Sequence, residues 1–393
     1  MANQKLTERV LATGVTFDDL IHIVITGDTT QFSGGSSYKA TIGQVMDTIS
    51  GSTIMVIDAG AGSTMRCGNS NSAYGNYSTT SGGYSNSSSG NYSTIGGGSG
   101  NLLTSQYSTI GGGQDNHNGP TSGWGTIGGG YNNCIGSTHT FVGGGYSNSA
   151  LCFYSTISGG YCNTVSGYTS TISGGYCNTT SADYSTISGG YCNLMTNKAT
   201  NSVISGGIKN ISLDSQTTIG GGQSNTVNST YSTISGGYKN ITTNGGGSTI
   251  GGGLENIITG VTSSIFGGES NKSLSDCSFI GGGKFNTTYI GCGLTIGGGE
   301  YNTINGFCHP NQVIGGGSYN TSCGAYSGIL GGSGNTAIHN CSYIVGNGIV
   351  TKCPNTTYVN CMSIVNLPSS SAGLPSGSLW YDSADSCTIK YVP

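Results

Sequence analysis

One pattern returns through most of the chain: Tyr154-Ser155-Thr156-Ile157-Ser158-Gly159-Gly160-Tyr161-Cys162-Asn163, five variable residues, then the pattern again. Its Ile slot recurs at Ile157, Ile172 and Ile187, a step of 15 residues. The same slot runs from Thr80, Ile95, Ile110, Ile127 and Val142 through to Ile344. An Asn follows each of these except Ile344 by six residues, from Asn86 to Asn335, with Asn163, Asn178 and Asn193 in the central units. A few steps are 16, 17 or 18 residues long, and the added residues fall between the Asn and the next Ser-Thr-Ile. Insertions confined to one point of a unit mark a loop on one face.

A unit this short cannot be a helical hairpin, which needs more than about 30 residues. It suits one coil of a β-solenoid, with two short strands and two turns. Ser-Thr-Ile supplies the first strand, since β-branched residues fit a pleated surface. Gly-Gly supplies a turn at positive φ. The Asn is expected to take the left-handed region and to bond within its own turn. The variable segment, such as Thr164-Val165-Ser166 or Ile257-Ile258-Thr259, supplies the second strand. The expected fold is therefore all-β: a parallel β-solenoid, or β-roll. Ile157, Ile172 and Ile187 stack inward, and Asn163, Asn178 and Asn193 form a second ladder.

Composition decides whether such a repeat is ordered. The 393 residues include 74 glycines, and only 7% are charged. Average chains carry about 25% charged residues and about 7% Gly. Low-complexity disorder goes with high net charge and few aromatics. Here the formal net charge is −4 and there are 24 tyrosines, which favours order. No basic stripe exists to bind nucleic acid. The apolar runs are only a few residues long, so no membrane insertion is expected. Met1-Ala2-Asn3-Gln4-Lys5 leads into no signal-peptide core, which points to another export route or to assembly inside a host cell.

Each coil places about two apolar residues inward. That thin core has to offset backbone ordering of ~1–2 kcal/mol per residue. Side-by-side packing of chains would relieve it, so a homo-oligomer is expected.

Units such as Tyr184-Ser185-Thr186-Ile187-Ser188-Gly189-Gly190-Tyr191-Cys192-Asn193 resemble the heads of trimeric autotransporter adhesins. The resemblance spans roughly residues 70–346 and implies a trimer. The chain departs from those heads in its Gly-Gly-Gly and Asn turns, and it carries neither an anchor barrel nor long heptads. Its ends are similar instead to tail-fibre and appendage proteins of phages and other large viruses. The segments concerned are Leu6-Thr7-Glu8-Arg9-Val10 through Ile42, and Leu367-Pro368-Ser369 through Leu379-Trp380-Tyr381. That similarity implies a virion fibre in three parts. Residues 1–65 are an attachment domain that docks on other virion proteins, and 66–346 form the solenoid shaft. Residues 347–393 are a cap or tip facing a host glycan or protein. Within the first part, Phe17 to Ile25 reads as a buried strand and Thr41 starts a short helix through Ile49.

The sequence offers little catalytic chemistry. His22, His117, His139, His309 and His339 are isolated, and Asp18-Asp19 reads as a loop or strand entry. Glycan cleavage needs two carboxylates across a cleft, and the 15 acidic residues are thinly spread. Calcium-binding solenoids carry Gly-Gly-x-Gly-x-Asp, whereas these turns carry Asn and Tyr. Gly111-Gly112-Gly113 has no following Gly-Lys-Ser/Thr and is not a phosphate loop. The 14 cysteines include no C-x-x-C. Neither a cofactor nor a metal site is expected, and the chain reads as a non-enzyme.

Three candidate ladders remain. Cys162, Cys177 and Cys192 share one slot in successive coils, close enough to bridge, and read as reduced packing. Tyr131, Tyr146, Tyr161, Tyr176 and Tyr191 follow the glycine turn. A second, interrupted row holds Tyr92, Tyr107, Trp124, Tyr154 and Tyr184. Such rows suit sugar or surface binding if exposed, and otherwise rigidify the stack. Ice binding through the Thr row is a weaker reading, since Ser or Gly stands beside each Thr.

Overall fold

The computed structural model describes residues 20–25, 36–41, 55–56, 58–66, 70–244, 246–306, 310–361, 367–382 and 388–392. Two compact units divide the chain, Met1–Val227 and Asn228–Pro393. Each contains parallel β-solenoid built from coils of ~15 residues, about 19 coils between them, and no helix forms among the described residues.

In the first unit every coil carries two short strands, seen in Thr156–Ile157 and Thr164–Val165. The first strands pair in parallel and in register, with Ile157 against Ile172 and Ile172 against Ile187. The second strands do the same, with Val165 against Thr180 and Thr180 against Met195. Within each strand one side chain points out and the next points in. The Ile slot, from Ile95 through Ile157, Ile172 and Ile187 to Ile219, is fully buried. Full burial of one such side chain contributes about 1.5–3 kcal/mol. The facing slot varies, with Ala150, Val165, Thr180, Met195 and Ser212 in succession, all buried.

The turns explain the fixed residues. Gly160 has φ 97, and a Cβ there would sit 2.3 Å from the Gly175 carbonyl oxygen and 2.5 Å from Asn163 Nδ2. Asn163 is buried, but it is not the left-handed residue. The residue before it is: Cys162, Cys177 and Cys192 have φ 54, 52 and 53. A second left-handed position precedes each first strand, at Tyr154, Thr169 and Tyr184. Residues of these types rarely adopt that region. Here the ladder holds them, with Cys177 N–H donating to Tyr161 O and Tyr184 N–H to Tyr168 O, both at 2.8 Å.

The Asn instead ties coils together. Asn163 donates its backbone N–H to Asn148 Oδ1 at 3.0 Å, and its Nδ2 to the same oxygen at 3.1 Å. The same Nδ2 reaches Gly159 O in its own turn and Gly175 O in the next coil, both at 3.0 Å. Bonding within its own turn is therefore one part of a larger network. Asn178 and Asn193 repeat the arrangement. Buried polar groups need such partners, because each left unmade costs about 1–3 kcal/mol.

Parallel pairing in this unit starts at Thr64–Arg66, which pairs with Thr79–Thr80, so the stack includes residues just before the first clear repeat. Ahead of it, Leu20–Ile25 and Ser36–Thr41 form an antiparallel pair. Thr41 thus closes a strand. Phe17 and residues 42–49, where a helix was expected, lie outside the described residues.

The second unit repeats the plan, with a buried Ile row from Ile234 to Ile344 and an Asn ladder from Asn256 to Asn335. Asn335 Oδ1 accepts from the backbone N–H of Ile349, which brings no amide of its own, and the ladder stops there. Thr357–Val359 adds a further parallel strand beside Tyr343–Val345. Leu379–Asp382 pairs antiparallel with Thr388–Tyr391.

Candidate functional site

The most distinctive exposed surface of the first unit is the outer face of the first strands. Along one coil the order is Tyr154 at one edge, Thr156 and Ser158 facing out, and Tyr161 at the other edge. In-register stacking turns each position into a row. The result is a floor of Thr and Ser or Gly, broken by Phe141 and Val203, between two aromatic rails.

The rail formed by Tyr131, Tyr146, Tyr161, Tyr176 and Tyr191 is half-exposed and continuous. Its ring centroids lie 4.9, 4.7, 4.8 and 5.1 Å apart, with planes within 21° of parallel. Each internal ring therefore has both faces against neighbouring rings. What it offers a ligand is its edge and its hydroxyl, so a sugar has no internal ring face to stack on. The thiol beside each phenol, Cys162 at Tyr161, Cys177 at Tyr176 and Cys192 at Tyr191, pushes that phenol above its ordinary range, with burial adding to the effect. These phenols stay uncharged well above neutral pH.

The opposite rail is longer than its aromatic residues alone indicate. Tyr77, Tyr92, Tyr107, Trp124, His139 and Tyr154 stack in sequence at 4.9–5.3 Å. His139, isolated along the chain, is the ring that joins Trp124 to Tyr154. Tyr168, one slot aside, bridges Tyr154 to Tyr184 edge-on at 5.7 and 5.5 Å. The signal for His139 was its offset, three residues before Val142 in the Ile row.

Cys162, Cys177 and Cys192 are free and half-buried at the rim of the turn rather than in the interior. Burial raises the Cys177 thiol above the ordinary thiol range, and the flanking Cys162 and Cys192 thiols add to the effect.

The second unit carries charge on the matching edge. Lys284 meets Glu269 at 2.8 Å, and Lys239 meets Glu255 at 3.2 Å. Its aromatic row shifts one slot, to Phe285, Tyr301 and Tyr319, with centroids 4.8 and 4.9 Å apart.

Other sequence candidates are scattered. His117 faces outward on a second strand. His339 Nδ1 lies 3.1 Å from Thr351 Oγ1. Asp18, Asp19 and His309 fall outside the described residues, and no side chain is described for His22. Among the described residues, no group of three His, Cys, Asp or Glu side chains is placed to hold a metal ion. No described helix is long and apolar enough to cross a membrane. No protein-family model and no curated protein sequence matches the chain.

Proposed function

We propose that this protein is a structural and adhesive fibre on a virion, a tail fibre or capsid appendage that extends from the particle and contacts the host surface. The observation that carries this reading is the way each coil templates the next. Asn163, Asn178 and Asn193 bond to the preceding Asn with the same geometry. Length is then gained coil by coil without new chemistry, which suits a spacer. In this reading residues 1–65 dock on other virion proteins. Residues 347–393 and the least uniform loops, Gly119-Pro120-Thr121, Asn197-Lys198-Ala199 and His309-Pro310-Asn311, meet a host glycan or protein. Thr121, Asn197 and Lys198 are exposed there, while Ala199 is buried as an anchor. The chain works as a homo-oligomer, with a trimer as first choice. Sedimentation of the intact protein should return a multiple of 39.5 kDa.

Immunogold labelling of particles and infected cells with an antibody to the whole chain tests the assignment. Gold on particle surfaces is the expected result. Gold confined to a cell envelope or extracellular filaments, with bare particles, would replace the virion fibre by a cellular adhesin. An ice-binding role is disfavoured by the Thr row itself, which Phe141 and Val203 interrupt.

A further inference from the structure

The slot before the ladder Asn has a fixed backbone. It holds Ser70, Ser85, Gly100, Asp115, Asn132 and Ser147 before the cysteines and Lys209 and Ser224 after them, with φ between 52 and 67 throughout. Nothing in that conformation calls for Cys, and the half-exposed rim does not call for an apolar side chain. Yet three successive coils carry Cys162, Cys177 and Cys192 there, each free. Their N–H groups donate to Tyr146 O, Tyr161 O and Tyr176 O at 2.8 Å, which fixes the three in register.

We propose that Cys162, Cys177 and Cys192 form an oxidative cross-linking site, in which Cys177 closes a reversible disulfide with either neighbour and the third thiol stays free. Adjacent strands lie about 4.8 Å apart, inside the ~4.4–6.8 Å Cα range that a disulfide spans. Cys162 and Cys192 are two strand steps apart, about 9.6 Å, and cannot bridge. In-register side chains point the same way, so their Cβ spacing also approaches the strand spacing, above the usual ~3.5–4.5 Å. A bond formed there is strained and easily reduced, the behaviour of a labile rather than a permanent cross-link.

The oxidant is a small-molecule disulfide. One cysteine thiolate attacks it, forming a mixed disulfide and releasing one small thiolate. The neighbouring thiolate then attacks the protein sulfur of that mixed disulfide and releases the second. Two protein thiols lose two protons and two electrons, and the reagent leaves as two thiols. The chemistry is independent of what the stack is attached to.

The test uses the full-length protein with excess oxidised glutathione. Remaining thiols are alkylated, a protease that cuts after aromatic residues separates the three cysteines, and cross-linked peptides are read by mass spectrometry. Cys162–Cys177 and Cys177–Cys192 links are expected, with no Cys162–Cys192 link, and dithiothreitol should reverse both. Cys177→Ser should abolish linking among the three, and Cys162→Ser should leave only Cys177–Cys192. Ser occupies the same slot at Ser147 and Ser224, so these variants keep the fold, which circular dichroism can verify. Glutathione on each cysteine with no inter-coil bond would overturn the proposal. So would the same distribution of links in guanidinium as in the native state.

Discussion

Asn148 Oδ1 accepts two hydrogen bonds from Asn163, one from the backbone N–H at 3.0 Å and one from the side-chain amide at 3.1 Å. The same residue carries the chain of bonds onward, since Asn163 Oδ1 accepts from the backbone N–H of Asn178 at 3.0 Å. Replacing Asn163 by Ala would leave the Asn178 N–H without this acceptor and remove the side-chain donor to Gly159 O and Gly175 O. At about 1–3 kcal/mol for each group left unmade, Asn163→Ala should lower stability by several kcal/mol. Guanidinium unfolding should show a lower midpoint, and a loss under about 1 kcal/mol would mean that water or a local shift replaces the ladder.

Neighbouring glycines should differ sharply. At Gly160 an added Cβ meets the Gly175 carbonyl oxygen at 2.3 Å, while at Gly159 the nearest contact is Gly144 O at 3.9 Å. Gly160→Ala should therefore unfold or badly destabilise the central coils, and Gly159→Ala should be tolerated. Thermal melts of the two variants side by side are the check, and equal melting temperatures would contradict the turn geometry.

In the second unit Ser273 stands in the second inward row between Ile258 and Thr288, and its buried hydroxyl has no hydrogen-bond partner. An unsatisfied buried polar atom costs about 1–3 kcal/mol. Ser273→Ala should raise the unfolding midpoint. A clear fall would show that the hydroxyl has a partner, such as an ordered water.

Alkaline pH should weaken the first unit. The phenols of Tyr161, Tyr176 and Tyr191 and the thiol of Cys177 are raised relative to their ordinary ranges. The unfolded chain therefore loses these protons first. Their contribution is fully present below the ordinary thiol and phenol ranges and is lost as pH rises through the raised values. The part of the phenolate absorbance that disappears when Tyr161, Tyr176 and Tyr191 are all replaced by Phe should rise later on titration than that of free tyrosine, and iodoacetamide should modify Cys177 more slowly than a free thiol at mildly alkaline pH. A phenolate titration that coincides with free tyrosine would contradict the stacked, thiol-flanked environment.

Much of this architecture is legible in the sequence, and the limits have physical causes. Ile157, Ile172 and Ile187 announce themselves because burial is selective for apolar side chains at a fixed step. Thr164-Val165 reads as a strand for the same reason of pattern. The conformation of Cys177, Thr169 or Tyr184 does not, because inter-coil bonds impose the left-handed region on whatever residue occupies the slot. Asn178 looked like the turn residue on propensity alone, and only its bonds to Asn163 reveal it as the link between coils. His139 was hidden because its partners, Trp124 and Tyr154, are neighbours in space through the repeat and not along the chain.

The Asn ladder is indifferent to how much chain separates its members. Asn302 and Asn320 are 18 residues apart and bond at 3.1 and 3.0 Å, as do Asn271 and Asn286 across 15, at 3.0 and 3.1 Å. Extra residues between rungs leave the register untouched. The scaffold can therefore serve as a display rack: foreign peptides grafted between a ladder Asn and the next first strand would be carried at a chosen rung, with their vertical spacing set by the stack and their length left to the designer.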